Sequence, residues 1–421
     1  MKRIIILAYY FPPLGMGGSQ RPAKFAKYLP EFGWQPTIVT VKPLTYWAQD
    51  LSLLNELSEI RIIRTDSFDP QRLLVRLTRR PSSIQENQGH GFLQKLNEIF
   101  SPFFLLPDSK ILWRIHAIRA ASELLKKEKF DAIFTTSPPH SVHFIGKTLA
   151  KKFKLKWVVD FRDSWAGGVV VHEPTPLQEW INRALQKTVL KSADAIISVS
   201  EGIQNELKKS IPNSREKFYL ISNGFDEGDY PLAENRKKNR FIFCHCGSIT
   251  KFSDPEPILT AFKLFKKKYP QLADRILFQF VGYDVLGDFT VRIKQARLED
   301  LVNYIGYKPH RQALQYLVNA NALLLIAKGP KGATFIPGKT FEYLGSLKPI
   351  LAITDVADTI AILQNTKLSV VLGFEDHNKI ADEIANFMQK DWKSSKTVHK
   401  NIQQFSRRNQ TKQLALILNR V

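Results

Sequence analysis
The stretch Phe335 to Leu351, FIPGKTFEYLGSLKPIL, decides the fold of the second half of the chain. Ala322 to Ala327 before it is an apolar, strand-like run and Ile350 to Ile353 at its end is another, so the segment between them reads as one loop-helix crossover of a parallel sheet. Pro337 and Gly338 set the turn. A helix starting there aims its N–H groups and positive dipole end out of the loop, which favours an anion, and Gly338 lets backbone come close to it. Lys339 stands at the helix start, and Glu342 follows on the same side one turn further in. Such a pair suits a nucleoside diphosphate: ammonium and dipole take phosphates, and a carboxylate accepts from two vicinal ribose hydroxyls. A first-turn Glu is also favoured by any helix dipole, and a Lys there is often merely solvated, so both readings stand on these residues alone.

Working outward, 421 residues are too many for one ordinary core and suggest two α/β domains. No run of about 18 apolar residues occurs, and MKRIIILAYYFPP reads as a first buried strand rather than a signal peptide, so a cytoplasmic location is expected. Cys244 and Cys246 alternate to one face of the strand-like FIFCHCGSI, with a spacing unlike the usual zinc pairs; His245 faces the other way, and no metal is assigned. The formal net charge of +22 attracts polyanions: nucleic acid, anionic lipid or phosphorylated substrates. Much of it lies on helix-like segments such as Lys147 to Lys156 and Lys263 to Lys268, without zinc-finger, RNA-recognition or zipper signatures, so no nucleic-acid partner is expected.

Ile4 to Leu7, the turn with Gly15, Gly17 and Gly18, an amphipathic helix to Leu29 and the strand PTIVTV form a βαβ opening. GMGG fails as a dinucleotide fingerprint, which argues against an oxidoreductase. The glycines either only turn the chain or close over a ligand with Arg21 as a charged anchor. Ile60 to Arg64 is a strand, RRPSSIQENQGHG (79–91) is a polar surface excursion, and FLQKLNEIFSPFFLLPDSKILWRIHAI (92–118) is either core or a membrane- or acceptor-side helix pair. In TTSPPHSVHFIGKTLAKKFKLKWVVDFRDSWAG two strands end on one edge, bringing Ser137, His140, Asp160, Arg162 and Asp163 toward one crevice; an Arg between two Asp is equally the pattern of a buried ion-pair cluster. A long helix from Leu177 to Leu190, the strand AIISVS with a Ser200 cap, and a polar linker at about 229–239 follow. Phe241 restarts the βα alternation, and FSRRNQTKQLALILNRV is expected to dock back.

Together YYFPPLGMGGSQR, TTSPPHS, DFRDSWAG, ISVSEG, ISNGFD, GSI, VGY, YIGY and PGKTFEYLGSLKPIL resemble glycosyltransferase family 4, the retaining transferases of bacterial surface polysaccharide synthesis. The resemblance implies a GT-B fold: two Rossmann-like domains with parallel sheets facing across a cleft, residues 1–230 on the acceptor side, 240–404 on the nucleotide-sugar side, and a helix in 405–421 packing back on the first. It implies that Glu342 holds the donor ribose, and that Gly338, Lys339, Thr340, Lys251, Gly247 and Ser248 surround the diphosphate, with Tyr307 and Lys308 at the base. Thr334 stands where the family carries the first of two glutamates, and Ser248 where it carries an Arg, a charge that Lys251 or Lys339 would supply. Gly17, Gly18, Arg21 and His140 fall on the acceptor side, and Asp163, Arg162 and Lys339 are the catalytic candidates. The implied partners are a nucleotide sugar, a glycan or lipid-linked acceptor, and an anionic membrane, giving peripheral association with the inner face of the plasma membrane. The reaction implied needs no metal or cofactor, in keeping with the lack of an Asp-x-Asp pair. A sugar-nucleotide epimerase and a non-catalytic nucleotide-sugar-binding protein share the fold and remain alternatives.

Overall fold
The computed structural model describes residues 1–14, 17–43, 51–68, 105–166, 175–234, 239–330, 333, 335–392 and 396–421. Thr334, the excursion at 79–91 and residues 92–104 lie outside the described residues. Two compact units result: Met1–Ser222 with Arg407–Val421, and Asn223–Ser406.

The first unit is built on a parallel sheet of β1 (Lys2–Leu7), β2 (Trp34–Val41), β3 (Arg61–Thr65), β4 (Ala132–Ser137), β5 (Lys156–Phe161), β6 (Ala195–Ser198) and β7 (Phe218–Leu220), in the order β3-β2-β1-β4-β5-β6-β7. Alternation along the strands sorts their side chains to two faces, both apolar, as a sheet covered by helices on each side requires. Ile4, Ile6, Ile38, Phe134 and Val158 pack against α1 (Gly17–Tyr28) and the C-terminal helix (Arg407–Arg420), which contributes Leu414, Ala415, Ile417 and Leu418. Ile5, Leu7, Ile133, Val159 and Ile196 pack against α2 (Trp113–Lys127), α3 (Val142–Phe153), α4 (Pro176–Ser192) and α5 (Glu201–Ser210). Trp113 is fully buried and donates its indole N–H to Thr65 Oγ1 at 2.7 Å, so the start of α2 is core and not a surface-seeking aromatic. Ser200 caps α5 by accepting from Ile203 N at 3.2 Å.

The second unit repeats the scheme with β8 (Phe241–Cys246), β9 (Ile276–Val281), β10 (Val302–Gly306), β11 (Ala322–Ala327), β12 (Ile350–Thr354) and β13 (Ser369–Leu372), ordered β10-β9-β8-β11-β12-β13. Phe243, Phe278, Leu324 and Ile353 face α6 (Glu256–Lys268), whereas Cys244, Cys246, Leu323 and Ala352 face α7 (His310–Asn319) and α8 (Gly338–Gly345). In each sheet the order reverses beside the first strand, between β1 and β4 and between β8 and β11. Such a switch point at carboxyl strand ends is where open α/β sheets bind ligands.

The passage between units falls earlier than the polar composition indicates. Ile221 and Ser222 give their carbonyls to Arg21 in the first unit, while Phe225 N bonds Phe405 O in the second. The stretch expected to be a linker instead docks on the second unit, through Tyr230 OH to Glu342 O at 2.6 Å and Glu234 N to Asn319 Oδ1 at 2.9 Å.

Candidate functional site
In the second unit β8 runs out at Gly247, whose φ of +150° is a conformation that side-chain-bearing residues rarely adopt. The glycine is needed for a second reason. A Cβ there would lie 2.7 Å from Lys339 Nζ and 2.8 Å from its Cε, because the lysine of α8 passes over this strand end. Its ammonium stops 3.2 Å from Nε2 of His245, a residue that is 1% exposed. The other ring nitrogen, Nδ1, is 3.0 Å from Leu324 O, and a carbonyl can only accept, so Nδ1 carries the hydrogen and Nε2 the lone pair. Burial, with Lys339 adding to it, holds this imidazole well below its ordinary pKa and therefore neutral. Burial lowers the Lys339 ammonium to about 8, against the opposing pull of Cys246 and Glu342.

Glu342, one turn along α8, has Oε1 2.9 Å from His310 Nε2 at the start of α7. Tyr343 anchors the helix beneath β8: its hydroxyl accepts from Cys246 N at 2.7 Å. No side chain among the described residues caps the start of α8, and a Cβ at Gly338 would meet no atom within 4 Å, leaving open room over the helix end. Ser248 sits in a tight turn whose carbonyl accepts from Ser253 Oγ at 2.7 Å, and Lys251 is exposed, its ammonium 5.1 Å from the Phe252 ring centroid. Tyr307 stacks on Tyr283 with centroids 4.3 Å apart, leaving an exposed aromatic face beside the half-buried Lys308. Thr340 corrects the expectation from sequence: it is fully buried on the inner side of α8, so its hydroxyl is not presented to a ligand.

In the first unit the strand ends bring Ser137, His140, Asp160 and Arg162 together, with a different outcome. Arg21, 1% exposed, is no ligand anchor. It forms a two-pronged pair with Asp160 (Nε to Oδ2 3.0 Å, Nη2 to Oδ1 2.7 Å), and its remaining donors reach the carbonyls of Ser222 at 2.6 Å and Ile221 at 2.9 Å. Thr136 Oγ1 adds a 2.7 Å bond to the same carboxylate. The buried ion pair weighed for Arg162 thus exists, but between Asp160 and Arg21. Arg162 gives its guanidinium to three carbonyls: Ser137 at 2.8 Å, Pro138 at 3.0 Å, and Gly18. It therefore ties the α1 start to the β4 end as a structural clamp, which corrects its assignment as a catalytic group. Gly17 and Gly18 open α1, and a Cβ at Gly18 would lie 3.6 Å from Arg162 Nη1.

Asp163 lies next to this clamp, and desolvation raises its carboxyl above the ordinary range despite the attraction of Arg162. His140 lies flat on Trp165, centroids 5.0 Å apart and planes within 3°, with Nδ1 3.1 Å from Ser137 Oγ. Burial lowers it to about 3, opposed by a Ser164 backbone hydrogen bond and assisted by Arg162, so the neutral ring is a wall of the site and not a proton carrier near neutrality. His245, His310, Tyr230 and Tyr343 were not found as site residues from sequence. Alternation did place His245 opposite the cysteines, but its partner is 94 residues away.

Two Rossmann-like units, each a doubly wound parallel sheet, give the architecture of the GT-B class. The solved structures it resembles share the fold along the whole chain. A glycosyltransferase from Rickettsia africae ESF-5 is 15% identical with a TM-score of 0.65, covering 100% of this chain and 98% of its own. Sucrose-phosphate synthase from Thermosynechococcus elongatus is 16% identical at 0.64, covering 100% and 99%. A variant of TarM from S. aureus, in complex with fondaparinux, alpha-GlcNAc-glycerol and UDP, is 10% identical at 0.60, covering 100% of both. No curated protein matches in sequence. The Glycosyltransferase Family 4 model matches residues 17–228, half of the chain, and the protein belongs to that family.

Proposed function
We propose that this glycosyltransferase moves a sugar, with retention of configuration, from a nucleoside-diphosphate sugar to a glycan or lipid-linked acceptor of cell-surface polysaccharide synthesis. The observation that carries the reading is Lys339: among the described residues its ammonium is paired with no carboxylate and is held by a neutral imidazole at an uncapped helix start. Leaving-group charge develops on the diphosphate as the glycosidic bond breaks, and a preoriented cation and helix dipole stabilise that charge more than the ground state. Glu342, steadied by His310, accepts from the ribose hydroxyls. The acceptor hydroxyl attacks from the face the diphosphate leaves, and the departing phosphate takes its proton. The TarM variant in complex with UDP supports a nucleoside diphosphate as donor moiety. Asp163 and the Gly18 loop of the first unit contribute to the acceptor side.

No metal or cofactor is part of this mechanism, so chelation with EDTA leaves the rate unchanged. Peripheral membrane association belongs to the same reading. It is supported by the net charge of +22 and by an open groove between α2 and α3 lined by Arg114, Phe144, Lys147, Thr148, Lys151 and Lys152. Sedimentation with anionic vesicles at low and high salt tests it, and binding insensitive to salt speaks against it.

The donor reading is tested by a thermal-shift panel of UDP, GDP, ADP, TDP and NAD on wild type and Glu342→Ala. One nucleoside diphosphate stabilises the wild type and not the variant. Stabilisation by none of them removes the donor site assigned here.

A further inference from the structure
We propose that His245 is a positioning residue of the donor site: its neutral imidazole holds the Lys339 ammonium across the Gly247 strand end without neutralising its charge. The inference rests on the donor reading above. Its geometry is independent of any ligand.

Lys339 belongs to α8, which packs on the cysteine face of β8, whereas His245 points to the opposite face with Phe243 and Phe280. The lysine can meet the imidazole only by crossing the end of the strand. Gly247 leaves that path open, since a Cβ there would fall within 2.8 Å of both Nζ and Cε. The crossing is stabilised by one acceptor, Nε2, whose lone pair is fixed by the Nδ1 hydrogen bond to Leu324 O.

The choice of an imidazole has a physical consequence. A carboxylate in its place would hold the lysine more strongly but cancel its field, as Asp160 does for Arg21. A hydrocarbon in its place would leave the ammonium without a fixed direction, and a flexible lysine loses rotamer entropy when a diphosphate orders it. A neutral acceptor uses one of three N–H groups, keeps the full positive charge, and leaves two donors for phosphate oxygens. Burial lowers Lys339 to about 8 against the attraction of Cys246 and Glu342, in keeping with an ammonium that is oriented but paired with no carboxylate among the described residues. It also means that diphosphate binding above this pH draws a proton onto the lysine, because the polyanionic ligand restores the charged form.

The test compares four proteins: wild type, Lys339→Ala, His245→Leu and His245→Gln, the last placing an amide oxygen near the position of Nε2. UDP, GDP, ADP and TDP and their monophosphates are titrated by calorimetry at pH 7 and again at pH 8.5 in two buffers of different ionisation enthalpy. We expect the wild type to prefer one diphosphate over its monophosphate and to take up a proton at the higher pH. His245→Leu lowers affinity for that diphosphate about tenfold, with the monophosphate little changed, and His245→Gln restores most of the loss. Lys339→Ala abolishes both the preference and the proton uptake.

A His245→Leu protein that melts like wild type and keeps the diphosphate preference, while Lys339→Ala loses it, overturns this inference and leaves the donor reading intact. Loss of affinity for diphosphate and monophosphate alike in both His245 variants also overturns it, since that is what a merely structural histidine does. A wild type that binds none of the diphosphates overturns the donor reading and this inference with it.

Discussion

The two units place cations at the same point of the same topology and treat them in opposite ways. At the switch point of the first sheet, Arg21 is buried against Asp160 and two carbonyls, and Arg162 against three carbonyls, so both guanidinium charges are answered from within the unit. At the switch point of the second, Lys339 meets a neutral histidine, and Glu342 meets His310. The first arrangement ties segments of the unit together, and the second leaves the Lys339 ammonium with no carboxylate partner among the described residues. A charged residue at a strand end is therefore not by itself a functional residue; what answers its charge decides.

The largest effect should come from breaking the internally answered side. Asp160→Ala strands Arg21 in a site 1% exposed and should cost about 3–5 kcal/mol of stability, measured by denaturant unfolding, with nucleotide affinity of the folded protein unchanged. A variant as stable as wild type, or one that loses nucleotide binding first, would erase the contrast between the units.

Gly247→Ala sharpens the other side. The new methyl group occupies the lysine's path and a φ of +150° strains it, so nucleoside-diphosphate affinity should fall roughly tenfold while most of the stability remains. Because the obstructing atoms belong to a flexible side chain, the lysine moves rather than the strand, and equal binding would show that its position is immaterial.

The most gradual effect is a pH dependence of the first unit. His140 is lowered to about 3 in the folded protein from an ordinary 6.5, so between those values the unfolded chain binds a proton that the folded chain does not. Its contribution to stability is present above pH 6.5 and is lost as pH falls through the window. His140→Phe should flatten the decline by at most about 1.4 kcal/mol per pH unit, read from unfolding curves across that range. An unchanged slope would mean that this ring protonates in place despite its stacking on Trp165.

Much of the fold was legible because it depends on local pattern. The apolar runs at Ile4 to Leu7, Ala322 to Ala327 and Ile350 to Ile353 are strands within a residue or two of the expected limits, and PGKTFEYLG begins a helix at Gly338. Glu342 and Lys339 were legible as a pair because three residues on a helix bring them to one side. The unit boundary was not, because polar composition reports exposure to water, and residues such as Tyr230 and Glu234 are both polar-flanked and docked. The ion pair weighed for Arg162 within DFRD forms instead between Asp160 and Arg21, because adjacency in sequence is a poor guide to which guanidinium meets a carboxylate.

The sequence by itself determined two doubly wound sheets, a helix start carrying Lys339 and Glu342, and a chain of family 4 pattern, since periodicity, turn residues and spacing act over a few positions. Only the tertiary structure decided which cations are paired with a carboxylate and which meet a neutral group. Arg21 and Asp160 are 139 residues apart, and Lys339 and His245 are 94 apart, so neither pairing leaves a trace in local pattern. Electrostatic compensation depends on distance in space and on burial, and both are set only when the sheets close over their helices.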